Sequence, residues 1–290
     1  MIISTSSTSP STPEPFGRLE RIVVTVPDPQ KTAEFFADGL RMEIRQHGSN
    51  LLATVEGEYG AADGQGAVEL VAGLAFAVER LVFGVPSDVD LGEMSERIGG
   101  RQDDTSVGVE EPGGLLISFE RVDALRVPKP QPDALRPRRM GHVNLKSPRP
   151  SETAKFFTET LNLRLSEFIG SDLYWMRTGT EHHAVALRPG GEGHVHHLGF
   201  EVAGWHMYQP MMDHLESRGY RVEYGPGRHR PGRSLFVYVC DPSSGLRAEL
   251  FADMVHINDP GTPPIGWEPG DRLTRTLNTW GPTPPESFLA

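Results

Sequence analysis

The stretch RIVVTVPDPQKTAEFFADGLRMEI, residues 21–44, decides how the chain is organised, because it returns 121 residues later as HVNLKSPRPSETAKFFTETLNLRL, residues 142–165. Seven of the 24 aligned positions are identical: Pro27, Pro29, Thr32, Ala33, Phe35, Phe36 and Leu40. A second pairing, offset by 117, sets RLVFGV (80–85) on HLGFEV (197–202), and GLLISFE (114–120) matches GLRAELF (245–251) in the same order. The chain is therefore two related halves. Asp28 suits a helix N-cap and Pro29 the first helical position, opening a helix whose Ala33, Phe36 and Leu40 share one face. The equivalent helix follows Pro150. LFVYVCD (235–241) and GLRAELF alternate as half-buried strands do, joined by the turn Asp241-Pro242-Ser243-Ser244-Gly245. Each half reads as strand, helix and further strands, twice over.

Outside these repeats the sequence is punctuation. MIISTSSTSPSTPEP lacks the basic and long apolar regions of a secretion signal, and its Ser, Thr and Pro content suggests a disordered arm over residues 1–16. RVPKPQPDALRPRR (126–139), rich in Pro and Arg, reads as a linker between a domain at 17–125 and one at 140–256. The tail 257–290 spaces apolar residues with polar ones, as a lid over a site or a strap docked on the surface would.

The 290 residues carry a formal charge of −11 and 37% hydrophobic residues, with no apolar run near membrane-spanning length. That balance argues against nucleic acid and anionic membranes as partners. Cys240 is the only cysteine, which excludes an internal disulfide and a thiolate cluster and fits a reducing, cytoplasmic setting.

Ten of the eleven histidines follow residue 140. Period-2 alternation sorts them by face. In HVNL, Val143 and Leu145 point one way and His142 the other. In HHLGFEV, Leu198, Phe200 and Val202 oppose His197, and Leu246, Ala248 and Leu250 oppose Glu249. If helices cover the apolar faces, His142, His197 and Glu249 line the concave side of one curved sheet. Two imidazoles and a carboxylate form a facial triad that leaves about three open positions on an octahedral metal and suits non-haem Fe(II). Their partners in the first half are Arg21, Arg80 and Ser118, which cannot ligate a metal in this way.

With these residues the chain resembles the type I extradiol catechol dioxygenases of the vicinal oxygen chelate superfamily, over roughly residues 17–282. WMRTGTEHHAVAL (175–187) is similar to the family segment carrying the acid/base histidine, which places that role on His183. GPGRH (225–229) and the tyrosine nine residues on resemble the segment that gives hydrogen bonds to bound oxygen atoms, which implies His229 and Tyr238. The resemblance implies an α+β fold of two homologous domains, each of paired βαβββ modules in a curved, barrel-like sheet. It also implies Fe(II), with Mn(II) as the occasional metal, a catechol-type substrate cleaved by O2 beside its hydroxyls, and a homo-oligomer. Ser243-Ser244 is one residue longer than in many members, and Tyr224 stands where some have arginine. The competing expectations are a glyoxalase-like isomerase or lyase, which needs a fourth protein ligand, and a metal-free ligand-sequestering module. Alternation makes His182 a surface neighbour of His183, and His194 and His196 strand-end residues. Trp175 divides between site and core, and Arg247 between orienting Glu249 and a rim salt bridge.

Overall fold

A computed structural model describes residues 17–55, 67–122, 135–191, 195–269 and 272–289. The expected arm at 1–16 and most of the expected linker, 126–134, lie outside them. The first half contains β1 (Arg18–Val26), β2 (Glu43–His47), β3 (Asn50–Thr54), β4 (Ala67–Ala72), β5 (Ala77–Pro86), β6 (Arg101–Gln102), β7 (Ser106–Glu110) and β8 (Leu116–Val122). The second contains β9 (Arg139–Ser147), β10 (Arg164–Ile169), β11 (Leu173–Arg177), β12 (Val185–Pro189), β13 (Val195–Glu201), β14 (Val222–Arg228), β15 (Leu235–Cys240), β16 (Arg247–Ala252) and a tail strand, β17 (Ile265–Trp267).

Each half folds as two βαβββ modules. The first strand of a module pairs in parallel with its last: β1 with β4, β5 with β8, β9 with β12 and β13 with β16. The two modules of a half then join through antiparallel first strands, β1 with β5 and β9 with β13. The result is two curved sheets ordered β2-β3-β4-β1-β5-β8-β7-β6 and β14-β15-β16-β13-β9-β12-β11-β10-β17. The internal alignment is visible as register. Arg21 faces Val82 across β1–β5 as His142 faces Gly199 across β9–β13, and Val82 faces Ser118 as Gly199 faces Glu249.

Helices cover the convex faces. Asp28 caps Pro29–Glu34 by accepting the Lys31 N–H at 3.1 Å, and the helix widens into a π turn over Phe35–Gly39. Pro150–Lys155 and the π turn Phe156–Thr160 repeat the helix and its widening, with Arg149 in place of the capping Asp28 and no side-chain cap. Ala33, Phe36 and Leu40 are buried together, as their spacing requires. Each helix also reaches the other half. Thr32 donates to Asp241 at 2.9 Å and Thr153 to Glu111 at 3.0 Å, both buried, so one hydrophobic core serves both sheets. Among the described residues no helix is long and apolar enough to cross a membrane.

Candidate metal centre

Alternation along four strands builds the site. Val143 and Leu145 of β9, Leu198 and Phe200 of β13, Val237 and Val239 of β15 and Leu250 of β16 enter the helix-covered core. The residues between them, His142, His197, Tyr238 and Glu249, are thereby turned to the concave face, where all four are buried. That face encloses a cavity of about 390 Å³, walled by Trp175, Ile169 and Phe288 among apolar residues and by His183, His197, His229, Tyr238 and Glu249 among polar ones.

The structure brings His142, His197 and Glu249 together. Glu249 Oε2 lies 2.9 Å from His142 Nε2 and 3.0 Å from His197 Nε2, and the two Nε2 atoms are 3.4 Å apart. Ligands about 2.1 Å from a metal are separated by about 3.0 Å when cis on an octahedron and by about 3.4 Å on a tetrahedron. Two of the three edges match the octahedral face. Charge fits as well. Burial pushes the Glu249 carboxyl up, but the imidazoles of His142, His197 and His229 outweigh it and hold it well below the usual carboxylate range. Burial, against the pull of Glu249, brings His197 down to about 4. An ionised carboxylate beside a neutral imidazole is the protonation state that a metal requires. Glu249 Oε1 is also buried without a hydrogen-bond partner, a buried anion that calls for a cation.

Space for the ligands depends on a glycine that alternation does not reveal. A Cβ at Gly199 would stand 2.2 Å from His142 Cε1, so no larger residue fits across from that ring. Phe251, from the same face of β16, packs on the other side of His142 with centroids 4.9 Å apart.

His183, His229 and Tyr238 surround the triad. The His183 ring lies 4.5 Å from that of His142, and burial, with His142 and His182 beside it, pushes its pKa well below the ordinary value. His229 donates from Nδ1 to the Leu277 carbonyl at 2.5 Å, which turns Nε2 to the Tyr238 hydroxyl at 2.9 Å and to Glu249 Oε1 at 3.5 Å. Burial and the charge of Glu249 raise the Tyr238 phenol well above its usual range, so it stays protonated as a donor. Tyr224 stacks parallel to Tyr238 at 6.0 Å.

One expectation needs correction. His182 is buried, not a surface neighbour: its Nδ1 meets His183 Nδ1 at 3.0 Å. His196 does stand at the start of β13, as expected, and is also buried, with Nδ1 2.7 Å from His197 Nδ1 and Nε2 2.7 Å from the Phe288 carbonyl oxygen. Strict alternation fails because a register shift between Val195 and His197 puts consecutive rings side by side, and His182 precedes β12 in irregular chain. His194 lies outside the described residues. Trp175 belongs to the cavity wall, and Arg247 makes a paired contact with Glu223 at 2.5 and 2.9 Å while also holding the His196 and Ser287 carbonyls. The tail lines the cavity through Pro269, Leu277, Phe288 and Leu289.

Residues 139–250 match the family described as Glyoxalase/Bleomycin resistance protein/Dioxygenase superfamily. Metapyrocatechase 2 of Cupriavidus necator is 32% identical over 158 residues, 53% of this chain and 47% of that protein. The manganese-dependent 2,3-dihydroxybiphenyl 1,2-dioxygenase of Geobacillus genomosp. 3 is 31% identical over 155 residues, 50% and 49% of the two chains. The chain thus spans about half the length of the curated relatives it matches. Two solved structures share the fold across almost the whole chain. The Mn(II)-bound glyoxalase from Novosphingobium aromaticivorans superposes with a TM-score of 0.80 at 20% identity, covering 94% of both chains. An extradiol ring-cleaving dioxygenase from B. fuscum gives 0.78 at 23% identity, covering 96% of this chain and 83% of that one. Residues 139–250 thus match the model of that superfamily, and the chain shares the vicinal oxygen chelate fold of solved extradiol dioxygenases.

Proposed function

We propose that the protein is an extradiol ring-cleavage dioxygenase, with Fe(II) as its metal and Mn(II) as the alternative, that inserts both atoms of O2 into a catechol-type diol beside its hydroxyls. The observation that carries this reading is the cluster of His142, His197 and Glu249, the last two lining an aromatic-sized cavity. When bound, the metal supplies adjacent open positions at which a diol's two oxygens and O2 can be held together. Trp175, Ile169 and Phe288 present apolar walls that suit an aromatic ring and exclude water. His183, kept neutral by burial, takes the hydroxyl proton as the diol binds and returns it later at a substrate oxygen. The Tyr238 hydroxyl and His229 Nε2 form a hydrogen-bonding edge beside Glu249, which orients oxygen atoms at the open side. The names of the relatives support this chemistry. The single cysteine supports a reducing, cytoplasmic setting, and we expect a homo-oligomer, which gel filtration checks.

Anaerobic loading with Fe(II) or Mn(II), followed by a panel of simple, substituted and bicyclic catechols in air, tests the reading. A product that is yellow in alkali, a semialdehyde or oxo-acid, is expected. A muconic diacid with no semialdehyde, the product of cleavage between the hydroxyls, contradicts it.

A further inference from the structure

The pairs His182–His183 and His196–His197 are built alike, Nδ1 to Nδ1 at 3.0 and 2.7 Å. Nitrogens so close need one proton between them, so in each pair one Nδ1 donates and the other accepts. For the second pair the direction is set from outside, because His196 Nε2 faces the Phe288 carbonyl, which can only accept. For the first pair the outside group is Glu167. Its Oε1 lies 3.1 Å from His182 Nε2, off the line of a good hydrogen bond but close enough for its charge to select the tautomer. Glu167 is itself buried and held in place. Trp267 donates to Oε2 at 2.6 Å, and the Gly232 N–H reaches Oε1 at 3.4 Å. Gly232 also makes room for the ring, since a Cβ there would stand 2.7 Å from His182 Nδ1, and its φ of +63° suits glycine.

A carboxylate beside Nε2 of His182 stabilises a proton on that nitrogen. His182 Nδ1 is then a lone pair that accepts the Nδ1–H of His183, and the remaining lone pair of His183 falls on Nε2. We propose that Glu167 and His182 are positioning residues that hold His183 in the tautomer whose Nε2 is the base. This rests on the reading of His183 as the proton carrier. Neither residue ligates the triad, so their burial is explained by what they do to His183.

The test uses protein labelled with ¹⁵N-histidine, metal-free, with long-range ¹H–¹⁵N correlations and the His183 ring assigned by its loss in His183→Phe. The wild type should show His183 with Nδ1 protonated and Nε2 bare. Glu167→Leu and His182→Leu should mix the tautomers and lower kcat about 10- to 100-fold, with KM for catechol and bound iron unchanged. His182→Asn, whose Oδ1 can accept the His183 proton, should restore the tautomer and most of kcat, and it serves equally if a leucine variant fails to fold. A His183 protonated at Nε2 in the wild type, or a tautomer unchanged in both leucine variants, overturns the proposal. If the tautomer moves as stated but His183→Phe turns over at the wild-type rate, the positioning stands and the proton-carrier reading falls.

Discussion

The two halves place opposite solutions on one scaffold. Where β9, β13 and β16 present His142, Gly199 and Glu249, the register-equivalent positions of β1, β5 and β8 hold Arg21, Val82 and Ser118. In the second half a buried carboxylate faces two imidazoles across a space kept open by glycine. In the first, Arg21 reaches both oxygens of Glu120 at 2.9 Å and approaches Glu69 at 3.3 Å, while Asn50 and His47 bond Glu69 at 2.8 and 3.2 Å. Arg21 brings its own fixed positive charge to that face, and Val82 occupies the volume that Gly199 leaves free. On the same curved sheet the first half thus carries a cation of its own, Arg21, where the second carries the two imidazoles and the carboxylate proposed to receive one, and the counterparts Arg80, Val82 and Ser118 differ along with it.

Breaking the receiving half should have the largest effect. Glu249→Ala, His142→Ala and His197→Ala are each expected to lose bound metal and turnover almost completely, as read by elemental analysis and a catechol assay. Retention of metal in all three would place the centre elsewhere. Next comes His183→Phe, which should keep its metal while kcat falls about 10²- to 10⁴-fold, the range of a general acid/base group; loss of metal would make the residue a ligand. Gly199→Ala should weaken metal binding about 10- to 100-fold by displacing His142, whereas Val82→Ala should leave metal affinity unchanged.

Acid should act on the second half as well. Burial lowers the pKa values of His183, His196 and His197, the last to about 4. The unfolded chain binds these protons near pH 6.5 and the folded chain does not, so their contribution is complete above 6.5 and is lost as pH falls from there towards 4. Melts of the metal-free protein at pH 7 and pH 5 check this, and an equal or higher midpoint at pH 5 contradicts it. The smallest effect on the centre belongs to Arg21→Ala. It should leave metal content untouched and cost about 3 kcal/mol in urea unfolding, because Glu69 is left buried without its guanidinium.

Much of this was legible in the sequence. The repeat gave the register, since two strands paired at a constant offset must keep their partners, and alternation on β9, β13 and β16 turned the triad inward. Alternation could not place His182 and His196, because it assumes a regular pleat, and the chain is irregular before β12 and shifted in register between Val195 and His197. The doubled histidines EHHAV and VHHL were the available signal: two rings in sequence beside one site are a pair that can share a proton. Glu167 and Phe288 could not be read, because β10 and the tail approach the site only through tertiary packing. Gly199 needed its opposite number, Val82, to be noticed.

Counting divalent metal per chain in the reconstituted wild-type protein tests the difference between the halves most directly. One metal per chain, lost in Glu249→Ala and kept in Arg21→Ala, is the expected result. Two metals per chain, or one that survives Glu249→Ala, would contradict a centre confined to the second half.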